Sequence, residues 1–115
     1  KFIEQVAVIG DNRKYLSALI VPNFEQLEAW ASENNISPSS REELVKHPKV
    51  LELYQKEIET LMSIFARVEQ IRKFTLLSTE WTQQTGELTP TMKLKRRVIN
   101  KKYGDLIESM YPKEI

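Results

Sequence analysis

Two apolar stretches on either side of five turn-forming residues constrain this chain more than any other feature. Val6-Ala7-Val8-Ile9 is followed by Gly10-Asp11-Asn12-Arg13-Lys14, and then by Leu16, Ala18, Leu19, Ile20 and Val21. The intervening residues tolerate unusual backbone angles, and their number predicts a hairpin between strands over 2–9 and 15–21. Both strands are nearly continuously apolar in their later halves. Such strands are covered on both faces, so helices are expected on each side of the sheet. Pro22 is expected to end the second strand.

The hairpin is followed by helical signals. Asn23 is a candidate N-cap with Gln26 three residues on, and Phe24, Leu27, Trp30 and Ala31 share one face of a helix to about Asn34. After a loop containing Pro38, a second capping box at Ser40 and Glu43 opens a short helix that Pro48 interrupts. From Pro48 a 3.6-residue period runs through Val50, Leu51, Tyr54, Ile58, Leu61, Met62, Phe65 and Val68. The segment 71–77 reads as a third strand, with Phe74 and Leu76 on one face and Ile71, Thr75 and Leu77 on the other. A polar stretch from Ser78 to Thr91 follows. A final helix is predicted from near Leu94–Arg97, with Ile99, Tyr103, Leu106, Ile107 and Met110 as its apolar stripe. The order predicts a small α+β domain: a three-stranded core sheet (a β-hairpin plus a later strand) flanked by helices, a terminal lysine loop and a C-terminal helix.

At 115 residues the chain fits one domain with a modest core. It begins on Lys1 and enters a strand pattern at once, so it reads as a piece of something longer. No apolar run approaches the roughly 20 residues of a membrane span. The lack of cysteine removes disulfides, thiol catalysis and thiolate metal sites. That fits a reducing cytoplasm, the expected location.

The net charge of +1 hides an uneven distribution. Lys93, Lys95, Arg96, Arg97, Lys101 and Lys102 fall within ten residues that hold no acid, and the remaining chain carries a net −5. Positive potential is therefore concentrated where the polar stretch ends, and an anion would be drawn there. A 14-residue stretch without structure of its own is unusual inside a compact domain. Pro90 stiffens its own backbone and that of Thr89 ahead of Lys93. A stiff loop delivering a lysine beside a helix start can place charge against a phosphate. On the residues alone, one more solvated lysine before a helix remains the default.

Leu88-Thr89-Pro90-Thr91-Met92-Lys93-Leu94-Lys95-Arg96-Arg97 resembles the C-terminal signature loop of acyl-adenylate-forming enzymes, in the version found in AMP-forming long-chain fatty acid–CoA ligases. Many other members have glycine where Met92 stands. Ile3-Glu4-Gln5-Val6-Ala7-Val8-Ile9-Gly10-Asp11, Leu16-Ser17-Ala18-Leu19-Ile20-Val21-Pro22 and Glu69-Gln70-Ile71-Arg72-Lys73-Phe74 resemble the strands of the same domains. The resemblance implies that residues 1–115 form the C-terminal swinging domain, with the large N-terminal domain absent. It implies a full enzyme that activates a fatty acid with ATP and Mg2+ to acyl-AMP, then transfers the acyl group to coenzyme A. Lys93 would stabilise the adenylation transition state; Gly86, Thr89, Pro90 and Thr91 would shape its loop; Lys95 and Arg96 would meet a cofactor phosphate. The N-terminal domain of the same chain is the implied partner, with peripheral membrane association of the full enzyme also open. The fragment alone is expected to be inactive and to bind no cofactor.

Two other readings stay in view. The same domain could serve a ligase for another carboxylic acid, since it does not form the acyl pocket. From a different class, a small basic nucleic-acid-binding module could use the cation run, but no aromatic platform accompanies it, so no nucleic acid is expected. Elsewhere, His47 is expected at a helix end rather than in metal or base chemistry. Trp30, Tyr54 and Tyr103 are read as core. Trp81 either anchors its loop or meets the partner domain; Glu87 and Thr89 could touch nucleotide or substrate but are assigned to backbone shaping.

Overall fold

The computed structural model describes residues 2–10, 15–63 and 71–111. Its elements run β1 (Ile3–Ile9), β2 (Leu16–Pro22), α1 (Phe24–Glu33), α2 (Arg41–Leu44), α3 (Pro48–Met62), β3 (Ile71–Leu76), α4 (Arg96–Lys102) and α5 (Gly104–Ser109). The three strands form one sheet in the order β1-β2-β3. β1 pairs with β2 antiparallel, and β2 pairs with β3 parallel, so the sheet is mixed. A parallel return needs a long crossover, and the helical segment between β2 and β3 provides it. The predicted α+β architecture is therefore observed. The turn at 11–14 and the continuation of the long helix to Phe65 and Val68 lie outside the described residues.

β2 occupies the centre because its sequence can be buried everywhere. Residues Ser17 to Pro22 are all buried, and successive side chains point to opposite faces, so both faces of this strand are covered. β1 departs from that expectation. It lies at the edge, where Val6 is 41% exposed and Val8 only half-buried. One extra residue sits in β1 between Ile3 and Gln5, relative to Val21 and Pro22 opposite. Such bulges re-aim the side chains beside them.

The caps follow the residue chemistry. Asn23 accepts a hydrogen bond from the Gln26 amide, and Ser40 Oγ accepts one from the Glu43 amide at 3.1 Å. Neither box is reciprocal: the Asn23 amide donates to the Phe2 carbonyl, and the Glu43 carboxylate takes its bonds from the amide and hydroxyl of Ser39. His47 caps α3, its Nδ1 accepting from the Lys49 amide at 3.1 Å, with Pro48 just inside the helix. α3 is tied to the start of β1 through fully buried Tyr54, whose hydroxyl donates to the Phe2 carbonyl at 2.6 Å. Burial pushes the Tyr54 phenol far above its ordinary range, with Glu57 adding to the effect, so it remains a donor.

The predicted C-terminal helix is two helices, divided at Tyr103. The amides of Tyr103 and Ile107 still bond to the carbonyls four residues back, so helical bonding continues on either side of the division. Gly104, a weak helix former, follows Tyr103. Ile99, Ile107 and Met110 are buried as the stripe predicts, whereas Leu106 is 38% exposed.

Candidate functional site

The polar stretch before α4 is ordered, against the expectation of a loop without structure. Its first half is a turn locked by threonine hydroxyls. The Thr82 amide donates to Thr85 Oγ1 at 2.9 Å, and the Thr85 amide to Thr82 Oγ1 at 3.0 Å. Gly86 leaves this turn at φ +96°, a conformation an L side chain rarely adopts.

The second half is a tight hairpin. Leu88 pairs with Leu94 across an antiparallel bridge, and the Lys95 amide donates to the Glu87 carbonyl at 2.8 Å. At the tip, the Met92 amide donates to the Thr89 carbonyl and the Thr89 amide to the Lys93 carbonyl, both at 2.8 Å. The Lys93 amide also donates to Thr89 Oγ1 at 3.0 Å, and that oxygen lies 3.1 Å from Thr91 Oγ1. Pro90, Thr91 and Met92 thus form a three-residue loop whose last member has φ +64°. This is the hairpin loop that closes through a left-handed residue.

Met92 explains why glycine suits this position. Its side chain is 61% exposed, so little packing offsets a left-handed backbone costing roughly 1–2 kcal/mol for non-glycine residues. Met92→Gly is therefore expected to leave stability unchanged or raise it by up to about 1 kcal/mol, measured by urea unfolding. Met92→Ile, β-branched at the same angle, is expected to lower it by about 1–2 kcal/mol.

Lys93 is exposed at the hairpin's end, and none of the described residues holds its ammonium. It belongs to the hairpin arm rather than to α4, which starts three residues later. The other cations near it divide into two groups. Lys95, Arg97 and Lys101 are exposed. Arg96 and Lys102 are exposed too but engaged: Arg96 Nη1 donates to the Val8 carbonyl at 2.8 Å and ties α4 to β1, and Lys102 Nζ donates to Glu87.

Lys102 meets Glu87, a carboxylate only 1% exposed, at 2.7 Å. Tyr103 Oη donates to the same oxygen at 3.1 Å, Thr85 Oγ1 bonds to the other, and Trp81 Nε1 donates to Tyr103 Oη at 3.2 Å. Burial pushes the Glu87 carboxyl up, but hydrogen bonds from Lys102, Thr85, its own backbone and Tyr103 outweigh it and hold it below the usual carboxylate range. The contact with Glu87 raises the Lys102 ammonium in turn. Trp81 is itself buried and anchors the start of the loop to β1. Its amide donates to Gln5 Oε1 at 2.9 Å, and Gln5 Nε2 donates back to its carbonyl at 3.0 Å.

Reading the sequence as residues missed this knot. Sequence alone reads Glu87 as shaping backbone or touching nucleotide or substrate, and Tyr103 as core. One signal was present: Glu87 is the sole acidic residue between Glu80 and Asp105, in the stretch that holds all six clustered cations. An acid so placed has a ready partner.

A carboxylate with a depressed folded pKa stabilises the fold above its unfolded value, near 4.5 here, and loses that contribution as pH falls through the folded one. The stability gap between the native chain and Glu87→Gln, about 1–3 kcal/mol at neutral pH, is therefore expected to close below pH 4.5. Urea midpoints measured across that range check it.

A cavity of about 650 Å³ lined by Val45, Leu51, Phe74, Leu76 and Leu106 among others contains none of the expected site residues. The cationic tip stands instead on open surface. Among the described residues no group of three or more histidines and acids could hold a metal ion, and no helix is long and apolar enough to cross a membrane.

Comparisons with known proteins show the family and the fold. The family model of the AMP-binding enzyme C-terminal domain matches residues 1–115. The chain is 35% identical over 113 residues to the long-chain-fatty-acid–CoA ligase FadD15 of Mycobacterium tuberculosis, covering 97% of this chain and 19% of that protein. It is 36% identical over 107 residues to the putative fatty-acid–CoA ligase fadD11 of the same species, covering 93% and 19%. Among solved structures, the adenylation domain of a carboxylate reductase from Mycobacterium chelonae superimposes with a TM-score of 0.72 at 26% identity, over 96% of this chain and 16% of that one. The chain thus spans about a fifth of the curated relatives it matches.

Proposed function

The chain belongs to the family of AMP-binding enzyme C-terminal domains, and from that premise we propose that it is the mobile domain of an AMP-forming long-chain fatty acid–CoA ligase, with Lys93 as its catalytic residue. The observation that carries this reading is the ordered hairpin presenting the Lys93 ammonium on open surface, with no partner among the described residues. In the whole enzyme a carboxylate oxygen attacks the α-phosphorus of ATP, the bond to the β-phosphate oxygen breaks, and pyrophosphate leaves. Negative charge builds on the α-phosphate and the attacking carboxylate during this step. Lys93, a compact point charge on a flexible stem, aligns both and offsets that charge. The coenzyme A sulfur then attacks the acyl carbonyl, and the C–O bond to AMP breaks.

The rigid small domain suits a hinge rotation that withdraws the hairpin between half-reactions. The tip's cations do not fit a divalent metal, so Mg2+ belongs in this reading with the nucleotide phosphates. The residues for the adenine, the acyl chain and the hinge belong to a separate N-terminal domain of the same chain. Lys95, Arg97 and Lys101 are left to meet a coenzyme A phosphate or that domain; Arg96 shares this role only with donors not spent on Val8.

Long-chain specificity rests on the likeness to fatty-acid ligases and is tested by assaying the full-length enzyme against acids of graded chain length. Peak activity on short or aromatic acids would overturn it. The domain by itself is expected to form no acyl-adenylate from ATP and palmitate, because one cation without bound substrates aligns nothing. Measurable pyrophosphate release by the isolated chain would contradict that. The catalytic role is tested by Lys93→Ala with the two half-reactions assayed separately.

A further inference from the structure

We propose that Glu87 is a positioning residue for Lys93, acting through the hydrogen-bonded knot that joins the catalytic hairpin to the Tyr103 break between α4 and α5. The inference rests on the reading of Lys93 given above.

Glu87 opens the hairpin strand opposite the one that carries Lys93. Its carbonyl accepts the Lys95 amide at 2.8 Å, and the next residue, Leu88, makes the bridge to Leu94. The main chain of Glu87 therefore sets the base of the hairpin, across the ladder from Lys95 and two residue pairs below Thr89 and Lys93. Its side chain points away from the tip, into the protein. There the carboxylate gathers three donors from two directions: Thr85 from the preceding turn, and Lys102 and Tyr103 from the end of α4.

The chemistry gives the knot one arrangement. An indole N–H can only donate, so Tyr103 Oη must accept from Trp81 and has a single proton left to give. An ionised carboxylate can only accept, so that proton goes to Glu87. Reversing any one bond leaves a buried group unsatisfied, and among the described residues no buried side-chain N or O atom lacks a partner. Trp81 is held in turn to the β1 edge by both Gln5 bonds. The hairpin base is thereby referenced to the sheet through Trp81 and to α4 through Lys102. A lysine on a two-stranded hairpin without such a base would sample many directions, since an isolated hairpin is marginal in water.

Stiffness at the base matters because an ammonium must reach the α-phosphate within a few tenths of an ångström. A misplacement of about 1 Å by a residue remote from the chemistry can cost on the order of 10²-fold in rate. Glu87→Gln keeps the shape but cannot accept from Thr85, Lys102 and Tyr103 at once. In the full-length enzyme carrying this domain, Glu87→Gln is expected to slow adenylation by about 10–10²-fold, with kcat and kcat/KM falling together. Transfer from supplied acyl-adenylate to coenzyme A, which does not use the hairpin, should be unchanged. In a Lys93→Ala background the same substitution should slow adenylation no further, because its effect passes through the missing ammonium.

Tyr103→Phe removes one link and leaves Glu87 charged and paired with Lys102. It should show the same selective loss to a smaller extent, and it provides the test should Glu87→Gln not fold. Equal loss of both half-reactions, or a further fall of adenylation in the Lys93→Ala background, would make the knot merely structural and overturn the proposal. If Lys93→Ala slows adenylation while Glu87→Gln and Tyr103→Phe do not, this inference fails and the reading of Lys93 stands. If Lys93→Ala itself leaves adenylation intact, the reading of Lys93 fails and the positioning role falls with it.

Discussion

Lys93→Ala in the full-length enzyme is expected to slow acyl-adenylate formation by about 10²–10³, equivalent to roughly 3–4 kcal/mol, the usual effect of deleting one contact aimed at developing charge. The magnitude is large because the hairpin does the aligning beforehand. Three backbone bonds and the Thr89 hydroxyl fix where the Lys93 backbone sits, so little ordering remains when substrate arrives. Lys93→Arg should rescue poorly, since a planar guanidinium fork is not a compact point charge. Transfer of a supplied acyl-adenylate to coenzyme A should survive in both variants. Pyrophosphate exchange and thioester formation, measured separately, decide the matter. Equal loss of both steps, or loss of neither, would remove Lys93 from the role assigned to it.

The second large effect concerns stability. Trp81→Ala is expected to destabilise the chain by about 3–5 kcal/mol, as truncation of a large buried aromatic does. Domains of this size are stable by about 5–15 kcal/mol in all, so the variant would stand near unfolding at physiological temperature. Trp81 is 2% exposed, packs at 6.2 Å from the Tyr103 ring and donates to its hydroxyl. Its main-chain bonds to Gln5 do not depend on the indole, so the loss comes from packing and one donor. Trp81→Phe separates the two: most of the volume stays, and the missing donor should cost about 1 kcal/mol. Urea unfolding of both variants provides the comparison. An alanine variant within 1 kcal/mol of the native chain would mean that the loop is not anchored through this side chain.

Local signals were legible where they act over a few residues. The caps at Asn23 and Ser40, the helix-end place of His47, the proline start of α3 and the apolar continuity of β2 each depend on neighbours in sequence, and each is observed. Legibility failed where neighbours in space decide. β1 and β2 look alike as strings, yet only β2 is covered on both faces, because an edge position is a property of the sheet. The tail from Ile99 to Met110 keeps one helical period, which conceals a break at Tyr103 in a helix whose Tyr103 side chain bonds outside the rod.

By itself, the sequence determined the order of the elements up to the C-terminal helix, the pairing of the first two strands, the concentration of cations after Met92 and the likeness that singles out Lys93. It could not determine the pairing of Glu87 with Lys102 and Tyr103, fifteen and sixteen positions away, or of Gln5 with Trp81 across 76. No periodicity links residues so spaced. Only tertiary structure brings them together, because a buried carboxylate is stable solely where several donors converge, and that convergence exists once strand, loop and helix have packed.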